Sequence, residues 1–343
     1  MHLIEGRTAD EVWREAAGRL QGRQGTLQQP SRRGDTLELL HTCLVVNHPA
    51  DRWVLNRRPA INPAFALAEV IWILSGRDDS GFLNFWNPIL PAFAGRGPLY
   101  YGAYGHRLRF RLGIDQIRYA YETLRAKPDS RQVVLQIWDA ASDLPIEGGE
   151  PRSDDIPCNL CSILKVRGGR LEWVQVMRSN DLKRGWPHNV VQFTTLQEMM
   201  AGWLGVAPGT YTHFSDSLHV YVDDLDELVE PVELKLEANT DRWTLTSADT
   251  MEVIQDLGHR MDVIRGSGRD PATIKREGAH NYGSEAATNA LAIIAADAAR
   301  RAKDRALAEE LVARCTNPVL RQLWRRWCER REGGVEEADA DES

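Results

Sequence analysis

Between Ile156 and Tyr221 the chain concentrates the side-chain types that carry out covalent and proton-transfer chemistry. Cys158 follows a proline. Arg178-Ser179-Asn180-Asp181 comes next, then Gly185-Trp186-Pro187-His188-Asn189, and the stretch closes on His213 and on His219-Val220-Tyr221. A cysteine attacks as its thiolate, so a nucleophilic role for Cys158 requires a positive neighbour that favours ionisation, and Arg178 is a candidate. Each residue also has an ordinary explanation. Cys158 could be a small buried hydrophobe, Arg178 and Asp181 a surface pair, Asn189 a helix cap and His219 a core histidine. Their joint order and spacing are harder to explain that way. Cys158 and Cys161 have the spacing of a metal or redox pair, but no second pair exists and the run between them reads as strand, so no metal is expected.

One further carboxylate stands out. Glu69 is the only charge in Phe65-Ala66-Leu67-Ala68-Glu69-Val70-Ile71-Trp72-Ile73-Leu74, a run apolar nearly all round and so expected to be a buried helix. Unpaired there, it would be costly, so it must pair, protonate or face a wet cavity.

The elements that must hold these residues can be placed from patterning. Thr8-Ala9-Asp10-Glu11 reads as a capping box before an amphipathic helix. A polar loop over 23–35 contains Arg32, and 36–47 reads as a strand. Asn62-Pro63 caps and starts the Glu69 helix, and Gly76 ends it. Residues 82–113 are read as irregular structure with a short helix, 114–126 as a helix, 133–138 as a strand, and 139–155 as a polar, acidic insertion. Strands follow over 159–166 and 171–178, joined by the turn Arg167-Gly168-Gly169-Arg170. Helices are expected over 190–204, from Leu218 towards Glu230, and over 250–265, 284–314 and 317–331. The acidic tail Glu336–Ser343 reads as disordered. The division is a catalytic α+β domain over 1–245, a helical appendage over 246–335 and the tail 336–343.

Bulk properties narrow the function classes. With 42 basic and 49 acidic side chains the net charge is −7, which gives no general nucleic-acid surface. No apolar run reaches the ~18 residues of a membrane span, no secretory signal opens the chain, and five cysteines are few. A cytoplasmic protein with reduced thiols is expected.

The segment resembles the thymidylate synthase family, which includes pyrimidine nucleotide hydroxymethylases. The resemblance rests on Pro157-Cys158, Arg178-Ser179-x-Asp181, Gly185-x-Pro187-x-Asn189 and His213-x5-His219-x-Tyr221. Weaker matches reach back to Arg32, Glu69, Tyr101-Gly102 and Ser130-Arg131, for a coverage of about residues 20–240. It implies a mixed sheet packed with helices. It also implies that Cys158 adds to C6 of a pyrimidine nucleoside 5′-monophosphate and that C5 then attacks the one-carbon unit of 5,10-methylenetetrahydrofolate. Glu69 would manage protons near the base and Tyr101 would assist removal of the C5 proton. Asn189 would bind the pyrimidine edge, Asp181 the pterin, His219 and Tyr221 the sugar, and Arg32, Arg178 and Ser179 the phosphate. Arg131 would reach the site of a partner subunit, implying a homodimer.

Several departures bear on the product. Asn159 follows the nucleophile where synthases usually carry histidine, Gln132 follows Arg131 where they carry a second arginine, and Ile89-Leu90-Pro91-Ala92-Phe93 occupies a segment where they place a tryptophan. The chain ends in acidic residues rather than an apolar closing tail. The last two are parts that keep water from the one-carbon unit, so their absence favours water over hydride as the final acceptor and a 5-hydroxymethyl nucleotide. The Asn189 amide, a donor and an acceptor, favours dUMP over dCMP or CMP. Thymidylate synthesis is the alternative, and a catalytically retired homologue serving as a binding module is the alternative of another class.

Overall fold

The computed structural model describes residues 1–31, 33–230 and 233–332, so Arg32 and the tail Glu336–Ser343 lie outside the described residues. Seven strands form one mixed sheet: β1 (His2–Gly6), β2 (Leu27–Ser31), β3 (Gly34–Val46), β4 (Val134–Gln136), β5 (Asn159–Arg167), β6 (Arg170–Asp181) and β7 (Ala207–Tyr221), in the order β1-β3-β7-β6-β5-β4 with β2 also paired to β3. β6 runs parallel to β7 and β1 to β3, while the other pairs are antiparallel. The architecture is α+β, as the resemblance implies. The β5–β6 hairpin turns on Gly168 and Gly169, with φ of 54° and 71°, a backbone that side chains resist and glycine accepts.

Three strands share a kink that decides which way the site residues point. In β6 the buried positions alternate through Met177 and then resume at Asn180; in β7 they run through Ser215 and resume at Leu218; in β3 they pass Leu39 and resume at Thr42. Because Ser215 pairs with both Thr42 and Met177, and Leu218 with both Leu39 and Asn180, the phase slips line up across the sheet. A strand side chain changes face when its phase shifts by one residue. The slip therefore turns Ser179, Asp181, His219 and Tyr221 together onto a half-exposed face.

The helix Pro63–Leu74 is buried on all sides except at Glu69. It packs against Trp186–Leu204, Ser247–Gly266, Glu285–Arg301 and Pro318–Glu332. Residues after 245 thus share its core, and polar links join the two parts: Asn289 donates to Asp241 (2.6 Å), Asn317 to Asn239 (2.7 Å) and Arg301 to the Trp86 carbonyl (2.6 Å).

Four sequence expectations are corrected. The helix expected over 190–204 begins at Trp186, so Asn189 lies within its first turn and does not cap it. The helix expected from Leu218 is strand to Tyr221 and then a single 3-10 turn, Val222–Asp224. Leu218 and Val220 alternate with His219 and Tyr221, and backbone pairing with Thr36–Leu39 fixes that period of two. The span 284–314 is broken into Glu285–Arg301 and Arg305–Ala313, with Lys303 at φ 61° and Asp304 capping the second helix. β1 was not anticipated, being a short edge strand with a single buried side chain, Ile4. Among the described residues no helix is long and apolar enough to cross a membrane, and no group of three or more potential metal ligands occurs.

Candidate active site

Cys158 sits one residue before β5, at the mouth of the sheet, and its carbonyl accepts from the Arg178 backbone N–H (2.9 Å). The Arg178 guanidinium donates to the carbonyls of Pro157 (3.0 Å) and Ile156 (3.1 Å) and packs over Trp138. A delocalised cation is thereby held beside the cysteine by three bonds from one residue. Asn159 points into the core, where its Oδ1 accepts from Gln175 and its Nδ2 has no hydrogen-bond partner among the described residues. Cys161 lies along the strand, where burial pushes its thiol above the usual range.

Two helices bring the next residues together. Glu69 from Pro63–Leu74 and His188 from the first turn of Trp186–Leu204 meet with Oε2 3.0 Å from Nδ1. Asn189, one residue on, is buried and donates to Gln192 Oε1 (3.3 Å). Glu69 is thus paired, as its place in an apolar helix requires.

The tyrosine that joins this cluster is Tyr104. Burial pushes its hydroxyl pKa well above the ordinary value, the negative charges of Cys158, Asp155 and Glu69 push it further, and Arg178 opposes them. Those four groups lie within electrostatic reach of the Tyr104 hydroxyl. Tyr101, expected in this role, is committed elsewhere: its hydroxyl donates to the Ser142 carbonyl (2.6 Å) and its ring faces Arg107 and Arg111. Residues 100–105 carry two Tyr-Gly pairs, and packing distinguishes them. A Cβ on Gly105 would lie 2.2 Å from the Ile73 carbonyl oxygen, so only glycine lets this turn approach the Glu69 helix and set Tyr104 beside it. A Cβ on Gly102 would lie 2.8 Å from the Asp155 carbonyl oxygen, while the Gly102 N–H donates to the Asp155 carboxylate (2.7 Å). Asp155, read from sequence as part of an acidic loop, is a partly buried carboxyl raised to about 6 by desolvation, against the pull of Gly102 and Arg107. It ties the Tyr104 segment to the Cys158 loop.

Beyond the kink, Ser179 Oγ lies 3.4 Å from His219 Nδ1, and His219 pairs across the sheet with Asp181 and with Glu38. Asp181 accepts from the backbone N–H groups of Lys183 (2.7 Å) and Arg184 (2.9 Å), fixing the turn into the Trp186–Leu204 helix. Arg184 reaches from that turn over both Tyr221 and Phe93. Phe93 lines a cavity of about 670 Å³ with Arg33, Pro91, Ala92, Gly95, Arg96 and Asp154. Trp86 is buried in the core and does not line this cavity. A smaller hollow of about 340 Å³ among the C-terminal helices, beside Val312 and Trp324, holds none of these residues. Arg131 is exposed on the loop before β4, apart from the cluster within one chain.

A family model described as thymidylate synthase matches residues 24–260, which extends past the C-terminal end of the span legible from the short motifs. The chain is 35% identical over 236 residues to a deoxyuridylate hydroxymethyltransferase of Bacillus phage SP01, covering 65% of this chain and 61% of that protein. It is 34% identical over 188 residues to a deoxyuridylate hydroxymethyltransferase of Pseudomonas phage M6, covering 54% of this chain and 52% of that protein. It is also 34% identical over 176 residues to a thymidylate synthase of Symbiobacterium thermophilum, covering 47% of this chain and 60% of that protein. The matched chain thus spans less than two thirds of each relative's length.

Proposed function

Because the chain belongs to the thymidylate synthase family, we propose that it transfers a one-carbon unit to C5 of dUMP through a covalent adduct on Cys158 and releases 5-hydroxymethyl-dUMP. The observation that carries this reading is the Arg178 guanidinium held against the Cys158 loop through the carbonyls of Pro157 and Ile156. Cys158 adds to C6, which makes C5 nucleophilic, and the Arg178 guanidinium beside it favours the thiolate. Tyr104, its hydroxyl kept protonated by burial, assists removal of the C5 proton by orienting the water that takes it, the role that the resemblance gave to Tyr101. Glu69 moves protons at the far side of the base. Arg32, Arg178 and Ser179 bind the 5′-phosphate, and His219 and Tyr221 hold the sugar.

A reduced folate, as 5,10-methylenetetrahydrofolate, would supply the carbon. The residues at hand fit it: Phe93 offers an exposed aromatic face, Arg33, Arg96 and Arg184 offer cations for carboxylates, and Asp181 lies behind Arg184. That cavity is walled by Pro91, Ala92 and Phe93. A wall without tryptophan leaves the pyrimidine methylene open to water rather than shielded for hydride transfer. The names of the two phage relatives support the same outcome.

A homodimer completes the reading. Leu40, Cys43, Val45, Ile163, Val174, Val176 and Phe214 remain half-exposed on the sheet face opposite the helices. A second copy would cover them and carry the exposed Arg131 to its partner's phosphate site.

The test is mass analysis of products from dUMP, dCMP, UMP and CMP with methylenetetrahydrofolate. A product heavier than dUMP by a hydroxymethyl group, with no dihydrofolate formed, is expected. Stoichiometric dihydrofolate would instead indicate thymidylate synthesis, and absence of even C5 tritium exchange would indicate a retired homologue.

Base choice gives a second expectation. The Gln192 carbonyl engages the Asn189 amide N–H side, leaving an amide edge that offers one donor and one acceptor to the O4 and N3–H of uracil. Asn189→Asp should lower kcat/KM for dUMP by about tenfold or more and raise dCMP relative to it, since a carboxylate accepts from the cytosine amino group. Tighter binding of dCMP than dUMP to the unmutated protein would overturn the assignment.

A further inference from the structure

We propose that His188 is a positioning residue for the water-addition step, holding Glu69 as the acceptor of the water proton; the inference rests on the hydroxymethyl reading above.

The geometry is a two-point hold. Phe65 and Glu69 stand one turn apart on the same face of the Pro63–Leu74 helix, and His188 from the neighbouring helix lies across both. The Phe65 ring meets the imidazole edge-on at 5.1 Å between centroids, and Glu69 Oε2 lies 3.0 Å from its Nδ1. Both of these polar atoms are buried, and neither has a well-aligned hydrogen bond to any described group. The two atoms form a close polar contact in which the hydrogen-bonding capacity of both is still unspent. A pair built only for stability would tend to be fully bonded. Glu69 lies within electrostatic reach of Tyr104, as Cys158 does.

The step balances as follows. With the nucleotide attached to Cys158 through C6 and carrying a methylene at C5, water oxygen bonds to the methylene carbon. The methylene π electrons move into the ring towards the C4 oxygen, and the water proton passes to the Glu69 carboxylate held by His188. The ring electrons then return to form C5=C6 and break the C6–S bond, releasing Cys158 as thiolate and the hydroxymethyl nucleotide. Phenylalanine at 188 would keep the packing on Phe65 but lose the contact to Glu69. Asparagine would keep an amide N–H within reach of it.

The experiment compares wild type, His188→Phe and His188→Asn by two rates: hydroxymethyl-dUMP formation, and folate-independent release of tritium from C5 of labelled dUMP. Melting temperature and dUMP affinity check that each variant is folded. The ratio of product formation to exchange should fall about tenfold or more in His188→Phe, in kcat rather than KM, and recover to within about threefold in His188→Asn. A ratio unchanged in His188→Phe, or lowered equally in His188→Asn, overturns the proposal. Failure of the underlying reading looks different: the wild-type protein itself then forms no hydroxymethyl nucleotide, and the proposal falls with it.

Discussion

Replacing Cys158 with alanine is expected to reduce turnover by on the order of 10⁴-fold or more while leaving the fold and nucleotide affinity essentially intact. The thiol is the atom that bonds to the pyrimidine, and no neighbouring nucleophile can replace it. Cys161 is three residues on and separated by a strand irregularity, and burial raises its thiol pKa, which keeps it protonated and unreactive. Cys43, on β3, is raised by burial in the same way. Cys161→Ala should therefore stay within about threefold of wild type. Mass spectrometry of the protein with a mechanism-trapping 5-fluoro-dUMP and folate would show a covalent adduct for wild type and Cys161→Ala and none for Cys158→Ala. An active Cys158→Ala would refute the nucleophile assignment. Because Cys158 lies outside the strand ladder and its backbone carbonyl, which accepts from Arg178, is kept by the substitution, the melting temperature should shift little.

The second large effect separates two tyrosines. Tyr104→Phe should slow both C5 tritium release and overall turnover by roughly 10²–10⁴-fold, the range for removing a positioned proton-transfer group. Tyr101→Phe should cost less than about tenfold, since its hydroxyl binds the Ser142 carbonyl and its ring packs on arginines. The contrast follows from surroundings. Removing the Tyr104 hydroxyl takes away a buried polar group within electrostatic reach of Cys158, Asp155, Glu69 and Arg178, whereas removing that of Tyr101 breaks contacts to Ser142 and Arg111 outside that cluster. Equal defects in the two variants would count against Tyr104 as the proton-transfer group, and a larger defect in Tyr101→Phe would restore the assignment that the resemblance implied.

These two tyrosines also mark where sequence reading stopped. Both are followed by glycine, and one-dimensional spacing does not say which glycine is needed against the Glu69 helix. Only the distance from a would-be Gly105 Cβ to Ile73 decides it. The order Cys158, Arg178, Asp181, Asn189, His219, Tyr221 was legible because local chemistry constrains each motif: a proline before the nucleophile, a Gly-x-Pro entry to a helix, and polar residues at strand ends. The Glu69 helix was equally legible, from Asn62, Pro63 and an apolar run that only full burial explains.

What sequence alone determined, then, was which residues could act and most of the elements carrying them. It missed β7 as a strand because its buried positions are occupied by Tyr211, His213 and Ser215, and their burial is set by partners on β3 and β6 rather than by hydropathy. It likewise set the residues after 245 apart, because their packing against the Glu69 helix spans nearly the whole chain. The tertiary structure alone decided the direction of the site. Phase slips aligned in three strands turn Ser179, Asp181, His219 and Tyr221 the same way, and two helices far apart in sequence bring His188 onto Glu69. Such placements depend on contacts between segments that no local pattern encodes.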